Sequence, residues 1–388
     1  MTSLKEKYNL RSIYVWIVLL LSIASISNDY LLIKGLPAKE ETMRAMELAN
    51  EYFMNKWPDV EKTIITNRER PSNIWTRAVY YEGLMALYKL NPNPKYYDYA
   101  IHWGEYHEWS LRDGDIYTRN ADNQCAGQTY IDLYLLDRKP ERVKYIKMSI
   151  DSMINTPKID DWSWIDALQM AMPVFARLGT LYSDNKYYDR MSEMYLCTKD
   201  SIGGGLYNYE DKLWWRDASF KPPFSEPNGE DCYWSRGNGW VFAALVRVLD
   251  CLPEENKYRK ELIQTFRDMA EALVKIQRHD GFWSVSLHDP NNFGGKELTG
   301  TALFTYGMAW GINHEVLDEE KYKPVVSIAW NAMIKDALHE DGFLGYVQGT
   351  GSGPSDGWPV AYDHQPDFED YGLGCFLLAG SEVYKIIK

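Results

Sequence analysis

The sequence predicts an all-α protein arranged as an (α/α)6 barrel of six helical hairpins. Three observations carry that expectation. Apolar residues recur at helical spacing from residue 37 to the end of the chain, marking twelve candidate helices. Gly turns running into an aromatic recur between helices: Asp113-Gly114-Asp115, Gly203-Gly204-Gly205-Leu206-Tyr207, Asp280-Gly281-Phe282-Trp283 and Asp341-Gly342-Phe343-Leu344. No low-complexity or Pro/Gly-rich linker divides the chain, so twelve helices close into one toroid with an inner ring inside an outer one.

Residues 1–28 stand apart as an export signal or N-terminal anchor. Lys5, Lys7 and Arg11 form a basic start, Ile13–Ala24 is an apolar run, and small polar residues follow. The run is shorter than the roughly 20 residues a membrane span needs, so cleavage and export to the periplasm are the expected outcome. A membrane contact is expected only if the segment stays uncleaved. Residues 29–388 are expected to form a single domain. Its helices are expected at 38–57, 72–90, 94–110, 122–136, 139–155, 162–181, 185–198, 236–251, 255–277, 298–315, 321–338 and 368–387. In 38–57, for example, Met43, Met46, Ala49, Tyr52 and Phe53 fall on one face. Brief strands are expected in the connections at 116–118 and 282–285.

Composition narrows the function classes. Hydrophobic residues are 45% and charged residues 25%, enough for a large core. Net charge is −13 and there is no basic stripe, which excludes nucleic acid as a partner. Aromatics reach 14%, which suits a site that stacks flat rings against sugars, and equally suits core filling. Five Cys at 125, 197, 232, 251 and 375 fit neither a zinc site nor a disulfide framework. Seven His show no metal spacing, and there is no nucleophile elbow, P-loop or dinucleotide fingerprint. No metal or cofactor is expected.

Three runs carry candidate chemistry. In Asp161-Trp162-Ser163-Trp164-Ile165-Asp166, Asp161 or Ser163 can cap a helix with Asp166 in its first turn. Trp164 and Met170 would wall Asp166, and poor hydration favours the protonated form of a carboxyl. That makes Asp166 a candidate general acid; an ordinary first-turn Asp reads the same way. Asp122 is either a helix cap or the second carboxylate that raises the pKa of Asp166. In Trp234-Ser235-Arg236-Gly237-Asn238-Gly239-Trp240, Arg236 is placed to pair with a carboxylate, in a substrate or inside the protein. Leu213-Trp214-Trp215-Arg216-Asp217 reads as a substrate wall.

The runs 121–134, 162–179 and 232–241, with weaker matches at 297–312 and 370–385, resemble the unsaturated rhamnogalacturonyl hydrolases of glycoside hydrolase family 105, relatives of the unsaturated glucuronyl hydrolases. The resemblance implies an (α/α)6 barrel acting on a terminal 4,5-unsaturated uronic acid left by a polysaccharide lyase. An Asp protonates C4, water adds at C5, and the hemiketal opens. On the matching positions Asp166 is the catalytic acid and Asp122 the second active-site Asp. Trp164, Trp234, Arg236 and Trp240 match pocket residues, and Tyr209 is a further substrate-binding candidate. Where some members carry a His, this chain has Leu206-Tyr207-Asn208-Tyr209. The implied partner is an unsaturated uronyl oligosaccharide, and the chain is expected as a monomer or dimer. Competing readings are a sugar epimerase on the same barrel, which would need paired His, and a non-catalytic sugar-binding protein.

Overall fold

Helices apolar on every side alternate along the chain with helices apolar on one stripe. The segment 298–313 buries every residue from Leu298 to Ile312. The segment 259–275 buries only Leu262, Thr265, Phe266, Met269, Ala270 and Leu273, spaced by three and four. A helix of the first kind must be covered all round; one of the second kind can face water. The computed structural model, which describes residues 35–387, places them accordingly. The expected export segment lies outside those residues.

Among the described residues there are twelve longer helices and one single turn. They are α1 (Lys39–Lys56), α2 (Trp75–Leu90), α3 (Pro94–Tyr106), the turn α4 (Ala121–Gln124), α5 (Ala126–Leu136), α6 (Glu141–Ile154) and α7 (Asp166–Tyr182). There follow α8 (Asn185–Asp200), α9 (Ser235–Leu249), α10 (Arg259–Lys275), α11 (Leu298–Asn313), α12 (Glu319–Ala332) and α13 (Asp370–Ile386). The inner ring is α2, α5, α7, α9, α11 and α13, each packed on the next, with α13 closing back on α2. The other six longer helices cover it. This is the (α/α)6 barrel expected from the sequence. Its apolar core is continuous from Ala45 to Ile386.

The closing contact is tight. A Cβ added at Gly374 of α13 would lie 2.3 Å from the Val79 carbonyl of α2, and one at Gly83 would lie 2.6 Å from the Gly374 carbonyl. Only glycine lets these two backbones touch.

The helix boundaries differ from expectation at one informative place. α7 starts at Asp166, not at 162, and neither Asp161 nor Ser163 caps it. Trp164 is held in an antiparallel bridge to Asp217, and the Ile165 amide donates to the Arg216 carbonyl at 3.0 Å. Asp161 instead pairs with Arg119. The strand expected at 116–118 is a turn, and 282–285 contributes only an isolated bridge from Trp283 to Glu297. The ordered strands are two short hairpins, β1 (Ile64–Ile65) with β2 (Glu69–Arg70), and β3 (Tyr207–Asn208) with β4 (Leu213–Trp214). All five Cys are free thiols. No described helix is long and apolar enough to cross a membrane.

Candidate active site

Because inner and outer helices alternate, the inner six run the same way and their N-terminal ends gather at one end of the barrel. A pocket of about 230 Å³ opens there. Trp75 and Thr76 reach it from the start of α2, Asp122 from α4, Asp166 from α7, and Trp234, Arg236 and Trp240 from α9 and the residue before it. Trp164 completes this set. Six of the seven expected site residues therefore meet in one cavity.

Tyr209 is the exception. It is 65% exposed in the turn after β3, its hydroxyl donates to Asp200 at 2.6 Å, and its ring lies under Lys199. The short hairpin points it at the outer helix α8 and not at the pocket. The departure from the family pattern at 206–209 thus falls outside the pocket lining.

The two carboxyls differ in their surroundings. Asp166 accepts a hydrogen bond from Arg216 Nε at 3.0 Å, while Arg216 Nη1 donates to Asp217 at 2.7 Å. Burial, and after it the negative charge of Asp166, push the Asp122 carboxyl up to about 6, against the pull of Arg112 and Arg216. The sequence reading put the raised carboxyl at Asp166. The structure shows a raised carboxyl at Asp122, and it gives Asp166 a guanidinium partner supplied by a loop fifty residues away. Asp122 also lies one residue inside its helix; Asn120 is the cap.

Arg236 is not free to grip a ligand with its terminal nitrogens. Nη1 donates to the Gln348 carbonyl at 2.7 Å and Nη2 to the Gly349 carbonyl at 2.8 Å. Its plane sits over Trp234 and Tyr371, with centroids at 4.5 and 5.1 Å. Trp234 Nε1 donates to the side-chain oxygen of Gln348 at 2.9 Å. Both residues thereby clamp the segment that brings Thr350 and Gly351 to the pocket wall. Trp240 stands edge-on to Trp75, centroids 6.3 Å apart.

The sequence reading missed three arginines at this site, Arg68, Arg70 and Arg112, beside Arg216. Arg216 lies in the aromatic loop already singled out as a wall. The other three sit in the β1–β2 hairpin and in a single 3₁₀ turn at Arg112–Gly114, too short for a periodic pattern to mark them.

Below the pocket the barrel is filled. Gln128 Nε2 donates to the Gln169 carbonyl at 2.7 Å, Gln169 Nε2 to Glu82 at 2.9 Å, and the Cys125 thiol contacts Glu82 at 3.5 Å. All four residues are buried. Among the described residues no group of three His, Cys, Asp or Glu could hold a metal ion.

The family model described as Glycosyl Hydrolase Family 88 matches residues 45–387. The chain belongs to this family. Two curated relatives are each called unsaturated 3S-rhamnoglycuronyl hydrolase. The one from Formosa agariphila is 32% identical over 334 residues, covering 80% of this chain and 84% of the relative. The one from Alteromonas is 30% identical over 336 residues, covering 80% and 78%. Among solved structures, a glycosyl hydrolase family 88 protein from Bacteroides vulgatus superposes with a TM-score of 0.81 at 34% identity, covering 90% of this chain and 99% of that one. The kinship read from the sequence is borne out, and membership of family 88 makes this chain a glycoside hydrolase.

Proposed function

We propose that this family-88 enzyme removes a terminal 4,5-unsaturated uronic acid from oligosaccharides made by a polysaccharide lyase. One observation carries the reading: two electrostatically coupled carboxyls, Asp122 and Asp166, share a Trp-walled pocket rimmed with arginines. The names of the curated relatives support the same substrate class.

A 4,5-unsaturated uronate has an enol ether conjugated to its carboxylate. Below about pH 6 the free site holds a proton on Asp122. A uronate carboxylate entering beside Arg216 competes with Asp166 for that guanidinium, and Asp166 then takes up the proton. Asp166 gives it to C4 while water bonds to C5 and passes a proton back to the carboxylate. The C5 hemiketal opens to a ketone, and the hemiacetal freed at C1 expels the remaining sugar. No covalent glycosyl-enzyme forms, unlike the usual retaining scheme. Trp164, Trp234 and Trp240 bound the ring and keep bulk water out.

Addition across C4=C5 destroys the ultraviolet absorbance of the conjugated acid. Wild-type protein bleaches that absorbance on an unsaturated uronyl disaccharide and releases one free sugar per event. Intact absorbance across lyase digests of pectin, ulvan and glycosaminoglycans would overturn the assignment. The epimerase reading finds no His in the pocket lining. The basic start and apolar run of residues 1–28 support export as well. An N-terminus between about residues 25 and 36, found by mass spectrometry after expression in a two-membrane host, is the expected result, and a soluble product retaining Met1 the opposite.

A further inference from the structure

One stretch of the pocket wall has a composition that does not hold its own shape. Between Val347 and Trp358 the chain reads Gln348-Gly349-Thr350-Gly351-Ser352-Gly353-Pro354-Ser355-Asp356-Gly357. Glycines among small polar residues favour neither helix nor strand, and fixing them costs much conformational entropy. Yet Thr350 and Gly351 of this run line the pocket.

The run is a loop closed around one side chain. At its stem the Gly349 amide donates to the Gly357 carbonyl at 2.9 Å. Gly357 has φ +68°, and a Cβ there would lie 2.2 Å from the Gly349 carbonyl oxygen. Gln348 is fully buried. Its Nε2 donates to the Asp356 carbonyl at 2.7 Å and the Gly353 carbonyl at 3.2 Å. Its Oε1 accepts from Trp234 Nε1 at 2.9 Å. The two ends of this amide cannot be exchanged. Turned over, Nε2 would meet the indole N–H and Oε1 would meet the carbonyls.

Trp234 stands at the pocket wall just before α9. Arg236 covers its ring and holds the root of the loop at the Gln348 and Gly349 carbonyls. The Gln348 side chain holds the N–H edge of the ring and the far side of the loop. Gln348 does not itself line the pocket. It links two surfaces that do, the Trp234 wall and the Thr350–Gly351 edge.

We propose that Gln348 is a positioning residue for catalysis. Its amide keeps Trp234 and the loop in register, and with them the depth at which a sugar ring meets Asp122 and Asp166. The proposal rests on the uronyl-hydrolase reading and adds to it a residue outside the pocket lining. A misplacement of about 1 Å can cost about 10²-fold in rate, so the loss of Gln348 is read in kcat. The groups that attract the substrate are all still present, so KM moves less than kcat.

The test follows loss of absorbance on an unsaturated uronyl disaccharide with the full-length enzyme, and thermal unfolding alongside. Gln348→Met is close in size and deletes both the donor and the acceptor. Gln348→Asn keeps an amide one methylene short of its partners, and stands in if Gln348→Met does not fold. In the folded variant kcat falls by about five-fold or more, and by a larger factor than KM rises. Repeated in a Trp234→Phe background, where the indole N–H is gone, the same substitution costs about three-fold less or better, as expected for coupled residues. A smaller fall in kcat, a loss carried by KM, or losses that simply multiply in the double variant overturn the positioning role and leave the uronyl reading intact. Wild type that does not bleach the disaccharide overturns both.

Discussion

The two ends of the barrel each hold a charged cavity, and they are built on opposite terms. At the end away from the carboxyl pair a cavity of about 340 Å³ is lined by four cations, Lys89, Arg177, Arg247 and Lys385, and four acids, Glu82, Asp132, Asp250 and Glu382. Most of these are matched within the protein. Arg177 pairs with Asp132 at 2.7 Å, Lys385 with Glu382 at 2.5 Å, and Arg247 with Glu82 at 3.4 Å while donating to Gln128 at 2.6 Å. At the other end the smaller pocket has walls of Trp and, among the described residues, two arginines in no ion pair, Arg68 and Arg70, beside Arg112, which pairs only with the exposed Asp113. Size does not distinguish the working end. Unbalanced charge does, because a protein leaves charge unpaired at a cost that a ligand can offset.

The sharpest way to break this contrast is at Asp166. Asp166→Asn keeps the shape and removes the transferable proton, so kcat should fall by about 10²–10⁴-fold. A folded variant that still bleaches the enol-ether absorbance at near wild-type rate moves the acid elsewhere.

Asp122 is expected to come next, and its effect is read in the pH profile. A carboxyl raised to about 6 is protonated below that pH and ionised above it. The proton needed at C4 is therefore present on the acid side, and kcat/KM of the free enzyme should fall as pH rises through about 6. Asp122→Asn should lower the rate and abolish that limb. An unchanged limb in the variant assigns it to another group.

Arg236→Lys sharpens the comparison from the structural side. Its two donations to backbone carbonyls should be weakened, at about 1–3 kcal/mol of stability for hydrogen bonds from a charged donor. Urea unfolding measures this loss. A fall in kcat/KM with unchanged stability would mean that Arg236 grips the substrate instead.

The paired end has its own pH signature. Burial, opposed by Arg247, pushes Glu82 up to about 7. Between its unfolded value of 4.5 and about 7 the folded state binds more protons than the unfolded one, so stability falls as pH rises through that window. Glu82→Gln should flatten this slope, by up to about 3 kcal/mol across the window, with less effect on rate than the changes above. Stability curves of equal slope in both proteins would show that Glu82 does not titrate there. The smallest effect is expected at Tyr209→Phe, which loses one exposed hydrogen bond and should keep kcat/KM within about two-fold.

What the sequence disclosed was what local pattern can carry. Helical periodicity marked the twelve long segments, and the resemblance to the unsaturated rhamnogalacturonyl hydrolases marked Asp122, Asp166, Trp234 and Trp240 as residues of one pocket. It did not disclose partners set by distant segments. The guanidinium on Asp166 comes from residue 216, and the carbonyls that occupy Arg236 come from 348 and 349. Arg68 lies in a hairpin turn, Arg70 in a two-residue strand and Arg112 in a single 3₁₀ turn, all too short for a period to announce a shared face. Tyr209 was misplaced for the same reason: the β3–β4 hairpin turns it towards Asp200.

The buried layer of Cys125, Gln128, Gln169 and Glu82 beneath the pocket has a kinetic consequence. A socket with a floor admits a polymer by its terminus alone and cannot slide along it. Turnover then follows the number of termini in solution, not the mass of polysaccharide. Intact polymer is almost invisible to such an enzyme, and every internal cut made by a lyase adds one more terminus that it can consume.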